Sequence, residues 1–531
     1  MLEIQELDNM ICQLLSLQDL ARCARVNKRW HSIVIPHLWR DLGWAGTCWK
    51  RSQEFVQMVA EDYLEEQQRR NLLGEGQSSH MSALSKYGPW IRLLPNEVYF
   101  KDAFIWYESK NGPSAFELFQ HLFRRCLSED AQARYLSVST RILDLAPHDS
   151  QRAFYDFMVT RTRQLYIYGG LPTSCADMSK VANLLDQCSG ILERLDLKLD
   201  TLAGTSGIFK LEEAPTDIQP RAWASFKKLT LIDWVDGSFW TWFFKQCHQV
   251  ETLEVRRPDG TAQALAQAML NHMPQLTEII LECSESSQMK DDDVAALLLA
   301  GSTKGWRRVK LGSNTHPGKR VMDALEKHLP TLEALEFNGG CHGFWSENML
   351  PFLRSCPQLQ SFVNTDRFTT LDVKTFIDRD PVTDTLRPWD CERTLKVLQL
   401  AITGIPRKDW PGHSIKGGSW SSQGYEIHNG LFDRLARLTH LEGLALGSDN
   451  HGDDNESPEL SLESGLYKLA GLKELKELYI RDLCAKIGTK EVQWMVENWP
   501  RLRVIDGLKV NGVHEEVIGW IRKNHARIIV L

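Results

Sequence analysis

One spelling recurs through most of this chain and leaves it few folds: an apolar residue, two free positions, a second apolar residue, one free position and a third. It reads LERLDL from Leu192, FKKLTL from Phe226, VETLEV from Val250, WRRVKL from Trp306, LEALEF from Leu332, LKVLQL from Leu395, LEGLAL from Leu441 and LKELYI from Leu475. Looser copies begin at Leu276, Leu359 and Leu502, and at Thr140, Thr162 and Ala526 towards the ends. Starts between Leu192 and Leu502 lie 24 to 46 residues apart, most of them 24 to 30. The alternation of the last residues in each copy is that of a short strand. Pro274, Pro330, Pro357 and Pro500 each stand two residues before an opening apolar position, where a preceding helix cannot continue. The stretches before them, such as AQALAQAMLNHM, RVMDALEKHL and EVQWMVENW, carry helical spacing. Each unit is thus helix, Pro-marked turn, strand. Alone it cannot bury its apolar side, so units must stack into an α/β solenoid with strands in one parallel row.

The repeat length and spelling resemble leucine-rich repeats, and the resemblance implies a horseshoe with strands inside and helices outside. Side chains alternate along a strand, so the free positions point to the inner face. Candidates for target binding there are Arg194, Asp196, Lys228, Glu254, Arg256, Glu278, Arg308, Lys310, Glu336, Gln399, Glu477, Tyr479 and Arg481. Charge of both signs runs along this face.

The first forty-two residues read differently. Ile4, Leu7, Ile11 and Leu15 fall on one helical stripe. Ser16 with Asp19 has the spacing of a helix start, and the second helix runs to about Cys23. Asn27 suits the N-cap of a third helix whose Trp30, Ile33 and Val34 share a face. Pro36 is expected to end that helix at Ile35, leaving Leu38 and Trp39 in an extended tail.

This block resembles an F-box. The matching residues are Ile4, Glu6, Leu7, Ile11, Leu15, Asp19, Leu20, Val26, Lys28, Trp30, Leu38 and Trp39, with Gln5 where the family usually has Pro and Asn27 where it usually has Cys. The resemblance implies that Ile4, Leu7, Ile11, Leu15, Leu17, Asp19, Leu20, Val26, Trp30, Leu38 and Trp39 form the segment that binds an adaptor of the SKP family. The expected organisation is an F-box over residues 1–42, a helical linker with an irregular first repeat over 43–129, and repeats over 130–531. An amphipathic stretch through Phe55, Val59 and Tyr63 belongs to the linker.

Chemistry is not visible. The nearest phosphate-loop spelling, Gly312 to Gly318-Lys319-Arg320, is one residue too long and has Arg where a Mg²⁺-binding hydroxyl is needed. His514-Glu515 lacks the second His of a helical zinc site, and no Gly-x-Ser-x-Gly turn occurs. No catalytic residue, cofactor or metal ligand is expected. A formal net charge of −7 over 531 residues gives no reason to expect nucleic acid or an anionic membrane as partner. No apolar run approaches the length of a membrane span, and no signal peptide is evident. The twelve cysteines form no Cys-x-x-Cys pair, and Cys188, Cys247 and Cys356, each just before a strand, read as small buried hydrophobes. A reducing cytoplasmic or nuclear setting is expected.

Of eighteen tryptophans, Trp240, Trp242, Trp306, Trp494 and Trp499 fall where core packing is expected, whereas Trp345, Trp389, Trp410 and Trp420 sit in Gly/Pro/Ser-rich segments outside the repeat register. Two stretches read as insertions, 401–440 with GIPRKDWPGHSIKGGSWSSQGY and 447–461 with GSDNHGDDNESPE. Trp410 and Trp420 are candidate anchors for a target. Together the resemblances imply a non-catalytic substrate receptor of an SCF-type cullin ubiquitin ligase, holding an unidentified target protein on the repeats. The alternative is an interaction scaffold acting outside any ligase.

Overall fold

The computed structural model describes residues 12, 17–26, 28–40, 49–72, 103, 105–109, 113–126, 135–139, 162–170, 175–200, 223–232, 238–256, 262–283, 289–301, 304–312, 315–338, 348–365, 370–405, 422–447, 458–480, 487–508 and 515–530. The chain divides into two compact units, Met1–Glu251 and Thr252–Leu531.

The first unit opens with helices α1 (Leu17–Cys23), α2 (Lys28–Arg40), α3 (Trp49–Leu72) and α4 (Ala115–Cys126). The amphipathic stretch around Phe55 is the buried stripe of α3: Phe55, Val56, Val59 and Ala60 are buried, as are Leu118 and Leu122 of α4. Between these helices His121 Nε2 lies 2.6 Å from Asp62 Oδ2. Four parallel strands follow in chain order: β1 (Tyr135–Ser139), β2 (Gln164–Gly170), β3 (Arg194–Asp200) and β4 (Lys228–Ile232). Helix α5 (Cys175–Cys188) lies between β2 and β3 in sequence, and α6 (Ser238–Phe244) follows β4.

The second unit repeats strand and helix with little variation. Its strands β5 (Thr252–Arg256), β6 (Glu278–Glu282), β7 (Arg308–Leu311), β8 (Ala334–Phe337) and β9 (Ser361–Asn364) pair in parallel in that order. From β9 the row continues through Val397–Gln399, Gly443–Ala445, Glu477–Tyr479, Val504–Asp506 and Ile529–Val530, again all parallel. A separate parallel pair joins Thr370–Asp372 to Ala401–Thr403. Helices Ala262–His272, Lys319–Glu326, Leu350–Ser355 and Thr489–Asn498 precede the Pro-marked turns. This is the α/β solenoid of a leucine-rich-repeat array, and its cause is visible in burial. In β5, β6 and β7 the spelled apolar residues Leu253, Val255, Ile279, Leu281, Val309 and Leu311 are all buried. At roughly 1.5–3 kcal/mol per fully buried aliphatic side chain, this repeated stripe dominates the stabilisation of the stack.

A second regularity pins the register. The free position just before several of the strands is charged, and neighbouring repeats of opposite sign pair through it: Arg163–Glu193 at 2.9 Å and Lys227–Glu251 at 2.8 Å in the first unit, Arg307–Glu333 at 2.8 Å and Lys476–Glu442 in the second. The backbones of the same positions are bonded, as from Glu333 N to Arg307 O at 2.7 Å. A one-residue slip would turn every apolar side chain outward and break this ladder as well.

Three expectations need correction. Helix α2 runs through Pro36 to Arg40, so Leu38 and Trp39 are helical. A proline inside a helix removes one donor, here towards the Ser32 carbonyl, and the remaining bonds carry the helix on. The Thr140 copy of the spelling lies outside the described residues, after the strand Tyr135–Ser139, and is not among the three. The stretch 401–440 is not wholly an insertion, because it holds the strand Ala401–Thr403 and the fifteen-residue helix Ser422–Ala436. Its Ile427, Leu431, Phe432 and Leu435 are buried, a helical stripe that the Gly- and Ser-rich lead-in concealed. Trp389 is the third, described with the cluster around it below.

Candidate functional site

The strand face opposite the apolar stripe carries a lateral row set by register. Within the second unit Glu254, Ile280, Lys310, Glu336, Val363, Gln399, Ala445, Tyr479 and Asp506 stand side by side. Two of the expected carboxylates are covered by their own neighbours. Glu254 is 4% exposed and accepts from Arg256 Nε at 2.6 Å, and Arg256 also approaches Glu282 at 3.4 Å. In the first unit Asp196 is 6% exposed and is held by Arg194 at 2.9 Å. The surface that a partner meets there is therefore guanidinium rather than carboxylate. Lys310 lies 3.5 Å from Glu282, Arg308 is exposed, and Lys228, Glu278, Glu336 and Gln399 are half-buried. Arg481, Trp410, Trp420 and Trp345 lie outside the described residues.

Further along the row the face opens into a trench of about 250 Å³, lined by Val397, Gln399, Gly443, Ala445, Glu477 and Tyr479, with Glu442 and Lys476 at one end. Gly443 and Ala445 form its floor because the free positions of LEGLAL hold the two smallest residues. Register sets Val397 and Gln399 on one side, Glu477 and Tyr479 on the other. Tyr479 donates its hydroxyl to Glu477 Oε2 at 2.9 Å. Burial pushes the Tyr479 phenol up, and the bond to Glu477 and the charges of Glu477 and Asp506 add to it.

Trp389 is buried, not presented by a loop. It donates Nε1–H to Asp378 Oδ2 at 3.0 Å and carries the Arg434 guanidinium 4.4 Å above its ring. Arg434, with no exposed surface, donates to Glu392 at 2.9 Å and to the carbonyls of Ile377 (2.8 Å) and Asp378 (3.1 Å). Arg354 grips Asp378 from the other side. The cluster fastens residues 373–394 to helix Ser422–Ala436 and exposes no acid or base in a cleft. Its role is structural.

The phosphate-loop spelling also resolves. Gly318 precedes the helix Lys319–Glu326, and its would-be anion site is filled by Asp291, whose carboxylate accepts from the N–H groups of Gly318 (2.7 Å), Arg320 (3.0 Å) and Val321 (3.0 Å). Among the described residues no group of three or more His, Cys, Asp or Glu is placed to hold a metal ion. No helix among them is long and apolar enough to cross a membrane. Burial pushes the Cys188 and Cys356 thiols up to about 12 and that of Cys247 well above its ordinary value, as suits packing residues.

At the N-terminus, α1 and α2 enclose a small core of Cys12, Leu20 and Val34, against which Cys23, Ala24, Trp30, Ile33 and Leu38 pack. The turn between them closes with Ala24 N to Leu20 O at 2.9 Å and Val26 N to Cys23 O at 3.1 Å, which leaves Val26 66% exposed. A family model described as F-box-like matches residues 6–43. Residues 6–43 are an F-box-like domain. Within it Leu20 is core, Trp30 and Leu38 wall that core, Asp19 sits in the first turn of α1 bonded to Arg22 at 3.0 Å, and Val26 projects outward. Ile4, Leu7, Ile11 and Leu15 lie outside the described residues, as do the side chains of Leu17 and Trp39. Among solved structures, a chain in a crystal structure of a yeast Rad7 and Elc1 complex is similar at 12% identity, with 78% of this chain and 77% of that chain covered and a TM-score of 0.40. Among curated proteins nothing matches.

Proposed function

We propose that this chain is the substrate receptor of an SCF-type cullin ubiquitin ligase. The F-box-like domain binds the SKP-family adaptor and, through it, a cullin; the strand face of the repeats holds a target protein. The observation that supports this best is the F-box-like match over residues 6–43, joined in one chain to a parallel repeat array. The chain itself does no chemistry in this reading. It contributes proximity, bringing a target lysine to a charged conjugating enzyme and converting a bimolecular encounter into a local one. The same proposal places it in the cytoplasm or nucleus, where its buried thiols stay reduced.

Proximity labelling in cells with the intact chain, and with a version lacking residues 1–42, tests this. The shortened form holds targets without delivering them, so target proteins accumulate on it and their cellular half-lives lengthen. Equal labelling and unchanged half-lives overturn the receptor reading.

A further inference from the structure

The trench at Gly443 is suited to one kind of side chain. We propose that it seats an arginine of the target protein, with the side-chain stem lying over Gly443 and Ala445 and the guanidinium meeting Glu477 and the ring of Tyr479; this rests on the receptor reading above.

The fold does not require a glycine at position 443. A Cβ placed there meets only the two Val397 methyls, both at 3.8 Å, an ordinary contact. Its smallness therefore shapes the surface, not the backbone. Neighbouring strands are spaced about 4.8 Å apart, so the trench between Val397–Gln399 and Glu477–Tyr479 is about 10 Å across, wide enough for one flat side chain. The floor and the Val397 wall are apolar and match an alkyl stem.

Charge selects a cation. Besides Tyr479, the ionisable side chains lining the trench are Glu442, Lys476 and Glu477. Lys476 is engaged by Glu442, whose carboxyl is held below the usual carboxylate range by that bond first and then by the charges of Lys476, Lys396 and Arg501. Glu477 is exposed, lines the trench and, among the described residues, accepts a side-chain hydrogen bond from Tyr479 at Oε2, which leaves its carboxylate able to accept from a ligand in the trench. A planar guanidinium can bond a carboxylate through its fork while stacking on a phenol ring, which a compact ammonium cannot do.

The test uses the full chain on arrays of nine-residue peptides whose central position is fixed as arginine, lysine, citrulline, norleucine or glutamate and whose flanks are randomised. Citrulline keeps the shape of arginine without its charge. The expected result is at least tenfold stronger binding of arginine than citrulline peptides, lost in Glu477→Gln and in Gly443→Val, with both variants melting like wild type. Equal binding of arginine and citrulline overturns the proposal, as does an arginine preference that survives in both variants. A preference for acidic or apolar peptides erased by Gly443→Val also overturns it. Adaptor capture, measured on the same preparations, separates the two claims. Lost arginine preference with capture intact counts against the trench alone, and absent capture with the preference intact counts against the receptor reading alone.

Discussion

Replacing Arg434 by alanine should open one segment of the array without disturbing its neighbours. The side chain has no exposed surface, and its guanidinium donates to Glu392 at 2.9 Å, to Ile377 O at 3.2 and 2.8 Å and to Asp378 O at 3.1 Å, while lying 4.4 Å from the Trp389 ring centre. Burial draws Arg434 down to about 10, and the charges of Glu392 and Asp378 keep it ionised. Alanine leaves two carbonyls without their donor, at about 1–3 kcal/mol each, and removes the ring contact. Breaking a buried pair costs about 3–5 kcal/mol, and we take that range because the losses overlap. Glu392 limits the damage, since Arg437 still reaches it at 3.0 Å. The assay is native-state hydrogen exchange of the amides in Val373–Ile377 and of Leu395, where the same range becomes roughly 10²- to 10⁴-fold faster exchange. Arg434→Met keeps the length but supplies no donor, so it should exchange nearly as fast as the alanine form. Arg437→Ala, at a partly exposed pair, should change exchange by less than about 1 kcal/mol equivalent. Exchange in Arg434→Ala within about threefold of wild type would refute the reasoning.

Three further outcomes follow from particular contacts. Burial raises the Asp378 carboxyl, but hydrogen bonds from Arg354 and Trp389 and the charges of Arg354 and Arg434 outweigh it, so it titrates below its ordinary value of 3.8. The stability it contributes is present in full above 3.8 and is lost as pH falls through the lowered folded value; Asp378→Asn should remove that acid-side slope in urea melts taken between pH 5 and pH 2. Gly301→Ala places a Cβ 1.8 Å from Trp306 Cζ2 and should cost about 1–3 kcal/mol in thermal unfolding, whereas in a Trp306→Leu background the same change should be nearly neutral. Asp291→Ala removes the acceptor of three N–H groups and should destabilise by about 1–2 kcal/mol, with faster exchange confined to the first turn of Lys319–Glu326.

Much of this architecture is legible in the residues because its cause is local. The spacing of Leu253 and Val255, or of Val309 and Leu311, is a two-residue period that only a strand with one buried face satisfies. Pro274 and Pro500 mark turns because a proline ring acts on its own helix. The F-box-like segment is legible for the same reason, as a fixed set of residue types over forty positions. What stayed hidden is assembled across distance. Arg354, Asp378, Trp389, Glu392 and Arg434 are separated by up to eighty residues and meet only after stacking. Asp291 reaches Gly318 from the previous repeat, so no local pattern shows that the glycine-rich turn is already occupied. The carboxylates of Asp196 and Glu254 point where period two places them, but the arginines that cover them depend on rotamers. The trench left a faint trace, since LEGLAL holds Gly and Ala at two positions where the other copies mostly hold larger residues, several of them charged.

The most direct measurement is affinity capture of the full chain from cells, with quantification of SKP-family adaptor and cullin in the eluate beside a form lacking residues 1–42. The account predicts both proteins near equimolar with the intact chain and absent from the shortened one. An intact, folded chain that brings down neither adaptor nor cullin, or a shortened form that brings down both equally well, would contradict it.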